Sequence, residues 1–523
     1  MKFLAHVALV SAVSLPSLVA ASAQDSHRLA RDLHVQHARQ QAGVPPPGGP
    51  QSSSAPAAQT SSAAAPPPPA PPATSTVQVQ STSAAGTPAP APATSNGAAT
   101  TTGAATTSPT TTYHYSLDSV NPTAVPLSDI VSDAAVAPTH PLDATFTPGA
   151  QPTFLPGAPG LPNAMLLKPT DYPALDKIPP TDSPQVQEWI SEVAKSGVPI
   201  PNIPVNVAGG CPANPQAASD PSRCWWTCGG CTRSTDITEC PQPMHWGLTY
   251  DDGPSYYTPD LLSYLDQVQL KSTFYIVGSR AISFPQTLQT QFMGQHQIAV
   301  HTWSHPSLTT LTNEQIIAEL GWSKKVIKDV LGVTPNTMRP PYGDIDDRVR
   351  AISVAMGLTP VMWTRISPLA TYDTDDFNIH SGITPVGQVL QNWENILGNA
   401  TTSSKGFIVL EHDLFQQTVE VATGYILPDA LGHQPPFTIQ PVITCLGLPL
   451  SDAYIETNDN KTNPPPAGSA SAIFTGPTVA LSPTGGTDGG SPNGAMSVSS
   501  NVVLSTLLTG AVSLLAGYLS VRL

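Results

Sequence analysis

The chain has 523 residues, but 59 prolines and 38 glycines gather toward its two ends, so far fewer are available to fold. With 21 basic and 36 acidic side chains the formal charge is −15, and aromatic residues are 6%. That balance argues against nucleic acid and anionic lipid, which need a basic face, and leaves a neutral or cationic partner open. The acidity also serves solubility alone.

Residues 1–23 read as a secretory leader. Lys2 precedes an apolar run from Phe3 to Ala21, and Ala21-Ser22-Ala23 is a small-residue cleavage site. A membrane anchor fits less well, because Ser14, Pro16 and Ser17 interrupt the run. Residues 24–112 are mostly Ala, Pro, Ser, Thr and Gln, a composition that cannot bury a core and reads as a disordered, O-glycosylated stalk. The lead-in, 113–243, is still proline-rich but gains apolar residues and Trp189; Ser183 caps a predicted helix over Pro184 to Lys195. Six cysteines follow, Cys211, Cys224, Cys228, Cys231, Cys240 and Cys445. In a secreted chain an even count means disulfides, with fifteen connectivities open here. A Cys445 bridge to the early cluster would tie the two ends of the domain together. Cys228-Gly229-Gly230-Cys231 also fits a redox pair or half a zinc site, but no second pair has metal-site spacing.

From Met244 to Leu446 the pattern alternates. Strands are expected at Met244–Leu248, Ser272–Val277, Ile298–Thr302, Pro360–Trp363 and Phe407–Leu410. Between them lie predicted helices. One starts at Thr258-Pro259, one is opened by a Thr312/Gln315 capping box and stopped by Gly332, and others span Asp344–Met356 and Pro385–Leu397. Repeated strand–helix units make a parallel α/β fold, either a barrel or an open sheet. About two hundred residues is short for eight units. Asn399 and Asn460 begin glycosylation sequons and are expected in loops. Residues 447–501 read as a flexible linker, and 502–523 as an apolar tail. Small residues upstream, with Gly489 and Asn493 as attachment candidates, make this a GPI signal; a transmembrane helix is the alternative.

Five polar stretches fall at or just after predicted strand ends, where sites of parallel α/β folds lie. The first is Thr249-Tyr250-Asp251-Asp252-Gly253-Pro254. Adjacent carboxylates repel, and a metal or a catalytic role would explain both, although turn chemistry alone yields the same residues. His301-Thr302-Trp303-Ser304-His305 places two imidazoles where one cation can meet both. Arg339-Pro340-Pro341-Tyr342-Gly343 is a stiff loop with an arginine that needs a carboxylate. Asp373-Thr374-Asp375-Asp376-Phe377 is acidic, and Leu410-Glu411-His412-Asp413 closes an apolar strand.

In order and spacing these five stretches resemble the polysaccharide deacetylase (NodB-homology) family of carbohydrate esterases, over Met244 to Leu446. With the leader, cysteine-rich lead-in and tail, the chain is similar to the chitin deacetylases of fungi, those of basidiomycete yeasts in particular. The resemblance implies a distorted (β/α) barrel with fewer than eight strands. It implies Asp252, His301 and His305 as ligands of one divalent metal, Zn²⁺ first and Co²⁺ second. It implies Asp251 as the base, Arg339 as its partner, His412 as the general acid and Asp376 as the carboxylate that orients it. It also implies the Tyr342 backbone N–H as oxyanion donor and Leu410 as a wall of the acetyl pocket. Phe377 stands where the family usually has tryptophan.

The implied activity is metal-dependent removal of N-acetyl groups from chitin and its oligomers. It would act outside the cell, at the plasma membrane through a GPI anchor and in the wall beside glucan. Two other functions compete. One is deacetylation of another acetylated polysaccharide; the other is a wall mannoprotein that binds chitin without turnover. Binding needs no general acid, so the intact set Asp251, Asp252, His301, His305 and His412 argues against the latter.

Overall fold

The computed structural model describes residues 112–367, 370–458 and 477–483. The leader, all but the last residue of the stalk, Asn460, and the tail with Gly489 and Asn493 lie outside the described residues.

The strand at the centre is the first made of the two parallel sheets. It runs as His245–Gly247 and then Thr249–Asp251. Its second half starts a five-stranded parallel sheet with Thr273–Ile276, Gln297–Val300, Thr337–Met338 and Thr359–Pro360, in that order. Its first half is the middle of a three-stranded parallel sheet, between Phe407–Ile408 and Thr438–Gln440. Strands such as Thr273-Phe274-Tyr275-Ile276 are buried at every position, as parallel strands covered on both faces are.

The α/β class with parallel strands holds. Two ladders joined by an isolated parallel bridge, Asp251 to His412, stand where the resemblance implied one barrel sheet. Further backbone bonds link their edges: Thr364 N–H donates to Ile408 O, Tyr372 N–H to Thr364 O, and Leu410 N–H to Tyr372 O. The strands 337–338 and 359–360 are two residues each; Arg339-Pro340-Pro341 follows the first, and the second lies at Thr359–Pro360 where Pro360–Trp363 was expected, although Val361 N–H still donates to Met338 O.

Helix signals were legible to the residue in two cases. Pro184–Lys195 is capped by Ser183, whose Oγ accepts from Val186 N–H. Asn313–Leu331 carries the full Thr312/Gln315 capping box and ends on Gly332 in the left-handed region. The two helices pack together, and Trp189 lies where Gly321 leaves no room for a side chain. The helix after the first strand is Thr258–Gln267, with Tyr257 as its cap, one residue earlier than Thr258 suggested. Asn399 is a correction: it sits in the last turn of the Val386–Ala400 helix, not in a loop, and its side chain donates to Asn395 O. The apolar face of that helix extends through Ile396, Leu397 and Ala400, which carries it past the expected end.

The lead-in wraps the catalytic region over long sequence distances. Asn121 N–H donates to Gly424 O, Tyr425 Oη to Val125 O, and Ala137 N–H to Gln416 Oε1. The disulfides are Cys211–Cys228, Cys224–Cys231 and Cys240–Cys445. Cys228 and Cys231 therefore do not pair with each other, which removes the redox-pair and half-zinc readings. Within the stretch read as linker, Thr478–Val479 pairs antiparallel with Ile200–Pro201. Among the described residues no helix is long and apolar enough to cross a membrane.

Candidate active site

Asp251 ends its strand, and Asp252 follows in the left-handed region at φ 81°. This turn is held from below. Asp413 is fully buried; its Oδ1 accepts from Gly253 N–H at 3.0 Å and its Oδ2 from Thr258 Oγ1 at 2.6 Å. Burial pushes the Asp413 carboxyl up to about 7. A Cβ on Gly253 would collide with both Asp413 oxygens, so the glycine is required by this contact. Arg280, also buried, donates from Nη1 to the Asp252 carbonyl at 3.1 Å.

His301 follows the Gln297–Val300 strand, and its Nδ1 lies 2.8 Å from Arg339 O. Nδ1–H as donor leaves Nε2 facing Asp252 Oδ1 at 3.5 Å. His305 Nε2 reaches the same oxygen at 3.1 Å. Thr302 and His305 both have positive φ, 65° and 59°, so the loop turns back to bring the second imidazole in. The donor atoms of Asp252, His301 and His305 lie within 4.8 Å of one another. Burial lowers the His305 pKa against the pull of Asp252, which keeps the imidazole neutral as a ligand must be. One carboxylate and two neutral imidazoles on one buried point fit a divalent metal.

The histidine loop has a support that its own residues do not reveal. Glu319, fully buried in the Asn313–Leu331 helix, accepts from Trp303 N–H and Ser304 N–H at 2.8 Å each and from Ser304 Oγ at 2.5 Å. Burial raises its carboxyl to about 7. The available signal was a glutamate on the same helix face as Ile316, Leu320 and Ile327.

Arg339 is 0% exposed and lies beside Asp251, with Nη1 2.8 Å from Oδ1. The same Nη1 donates to Thr249 Oγ1 at 2.9 Å, and the guanidinium stands 4.1 Å from the centroid of Tyr275. A buried pair such as this orients its members more than it stabilises the fold. Tyr342 has φ 59°, and its ring meets His305 at 4.7 Å between centroids.

The bridge between Asp251 and His412 puts the fifth stretch beside the first. His412 Nδ1 lies 2.7 Å from Asp376 Oδ1, and His412 N–H donates to Asp376 Oδ2 at 2.9 Å. Of the three acids in that loop it is Asp376 that meets the histidine. Asp375 holds Asn378 and Thr384, and Asp373 caps Asp375 N–H. Burial alone would lower the His412 pKa; the charge and hydrogen bond of Asp376 outweigh it and lift the group to about 10. Phe377 stands 5.2 Å from the His412 ring, edge to face, and Leu410 is 8% exposed on the same strand end. All ten predicted catalytic, metal and substrate positions therefore converge, and four of their five stretches contain a residue at positive φ.

Residues 238–361 match the family model for polysaccharide deacetylase. Chitin deacetylase 1 of Cryptococcus neoformans var. grubii is 52% identical over 352 residues, covering 66% of this chain and 73% of the relative. The chain belongs to the polysaccharide deacetylase family. Metal dependence is a general property of that family, in agreement with the Asp252, His301 and His305 group. A second relative, chitin deacetylase of Amylomyces rouxii, is 38% identical over 235 residues, which is 40% of this chain and about half, 53%, of the relative. Among solved structures, the chitin deacetylase of Colletotrichum lindemuthianum is 25% identical at TM-score 0.35, covering 43% of this chain and 97% of that one.

Proposed function

We propose that the chain hydrolyses the N-acetyl groups of N-acetylglucosamine units in chitin, giving acetate and the free amine. The observation that carries this reading is the pairing of Asp251 with His412 on neighbouring strands, beside the Asp252, His301 and His305 group. A carboxylate next to a histidine held protonated to about pH 10 is a base and an acid on one bond. A lectin has no use for the second. The substrate class is supported by the chitin deacetylase relatives.

In this reading Asp252, His301 and His305 hold a divalent ion, zinc being the first expectation, which when bound supplies Lewis-acid polarisation and a more acidic water. Asp251 accepts the proton of the attacking water through Oδ2, since Arg339 occupies Oδ1. Tyr342 offers its backbone N–H to the oxygen that becomes negative. His412 gives its proton to the departing nitrogen as the C–N bond breaks, and Asp376 keeps the imidazole charged and aimed until then. Leu410 and Phe377 line the space for the acetyl methyl group.

Acetate release from N-acetylglucosamine oligomers, with and without chelator, tests the activity. Chitin binding with no acetate released would overturn it. We further propose secretion and GPI anchoring, on the leader and tail patterns. Deletion of residues 489–523 should release active enzyme into the medium, and a cell-bound product would count against the anchor.

A further inference from the structure

Residues 211–231 form a clasp in which two disulfides overlap, Cys211–Cys228 and Cys224–Cys231. The clasp precedes the stretch that matches the family model. Between Cys224 and Cys228 lie Trp225, Trp226 and Thr227, and all three reach the loop after Arg339. Trp225 Nε1 donates to Asp344 Oδ1 at 2.7 Å. Thr227 Oγ1 donates toward Gly343 O at 3.3 Å and Asp344 Oδ1 at 3.2 Å. Trp226 N–H donates to Ile345 O at 3.0 Å. Its ring packs edge-on against Trp363 at 4.5 Å, and a Cβ on Gly343 would collide with it.

The contacts continue to the reacting groups on two sides. Asp344 Oδ2 accepts from Thr309 N–H and Oγ1 at 2.9 and 2.8 Å, four residues past His305. Trp363 faces the Arg339 guanidinium at 6.0 Å. The clasp is itself fixed to the domain: Arg350 donates to Cys224 O at 2.6 Å and Cys231 O at 2.9 Å and pairs with Asp236. Tyr342 thus sits in a left-handed turn whose following residues are held by a cross-linked segment from outside the catalytic sheets.

We propose that this clasp is a positioning device for the deacetylation step, with Trp226 as its key positioning residue. It fixes the Pro341–Gly343 turn and so the place of the Tyr342 amide. The inference rests on the deacetylase reading, and a misplaced oxyanion donor lowers turnover more than binding. The test compares wild type with Trp226→Phe, Trp226→Ala and the pair Cys224→Ser/Cys231→Ser, using full-length protein. The expected result is unchanged metal content, KM within about twofold and kcat down about tenfold for Trp226→Ala and the cysteine pair. Trp226→Phe should recover most of the loss. Hydrogen exchange should quicken at 342–345 and stay as in wild type at 301–305. Unchanged exchange at 342–345 overturns the proposal, as does activity that falls only in step with the folded fraction. An inactive wild type overturns the substrate reading instead, and exchange still reports on the clasp.

Discussion

At the residue scale, the two neighbouring carboxylates have different partners and so different expected losses. Asp252→Ala, His301→Ala and His305→Ala should each abolish bound metal and acetate release while the fold remains, because all three project from strand-end turns and not from the apolar faces. Metal content per protein, measured beside circular dichroism, checks this. Asp251→Asn should keep its metal and lose about 10²- to 10⁴-fold in turnover, because an amide cannot take the proton. Loss of metal in Asp251→Asn with retention in Asp252→Asn would reverse the two assignments.

His412 supplies the pH prediction. The proposed mechanism requires its acid form; burial opposes that form, and the charge and hydrogen bond of Asp376, with the charges of Asp252 and Asp251, outweigh it and lift the group to about 10. Activity therefore falls as pH rises through that value. Asp376→Asn removes the charge and leaves burial acting in the opposite sense, so the alkaline limb of kcat/KM should move to lower pH, by about one to three units. An unmoved limb would show that the Asp376 contact does not govern the proton.

At the scale of elements, the site depends on groups in a neighbouring helix or strand. Glu319 takes three hydrogen bonds from the turn that carries His301 and His305. Glu319→Ala should weaken metal binding by about 10- to 100-fold, whereas Glu319→Gln, which keeps an acceptor, should lose less. A metal titration of both variants decides it, and equal affinity to wild type would remove Glu319 from the site's support. This also shows what the sequence could yield. The five stretches were legible because each is local: its residues lie one to four apart. The parts that hold them were not. Asp413 braces Gly253 from 160 residues away and Arg339 finds Asp251 across 88, distances over which spacing carries no information. Asp376 lies between these cases. Its register among three acids is set by which carboxylate the loop brings to His412, and the loop's turn at Asp375, φ 61°, decides that.

At the scale of the whole molecule, α/β alternation and parallel strands were readable from periodicity. The division into two ladders was not, because it follows from strand pairs of two residues each and from where the chain leaves the sheet. The Cys445 expectation was sound, and its partner is Cys240. That bridge spans 205 residues, so its loss frees a large loop in the unfolded chain. Cys240→Ser/Cys445→Ser should lower unfolding free energy by about 2–5 kcal/mol while leaving metal content intact, measured by urea denaturation. An unchanged midpoint would mean that the sheets alone hold the two ends together.

The first strand, His245–Gly247, lies between strands made about 160 and 190 residues later. During vectorial synthesis its two edges therefore stay open until 407–408 and then 438–440 have been made. A nascent chain that stops before Thr438 carries every proposed catalytic residue yet still exposes one side of that strand. Arrested chains ending at residue 437 should be cut by protease within 245–251 and bind metal poorly, while chains released at residue 458 should resist and bind. Protection of the shorter chain would mean that the site closes before its central sheet does. The enzyme's competence then waits on the emergence of Thr438–Gln440 and not on the order in which its proposed ligands emerge.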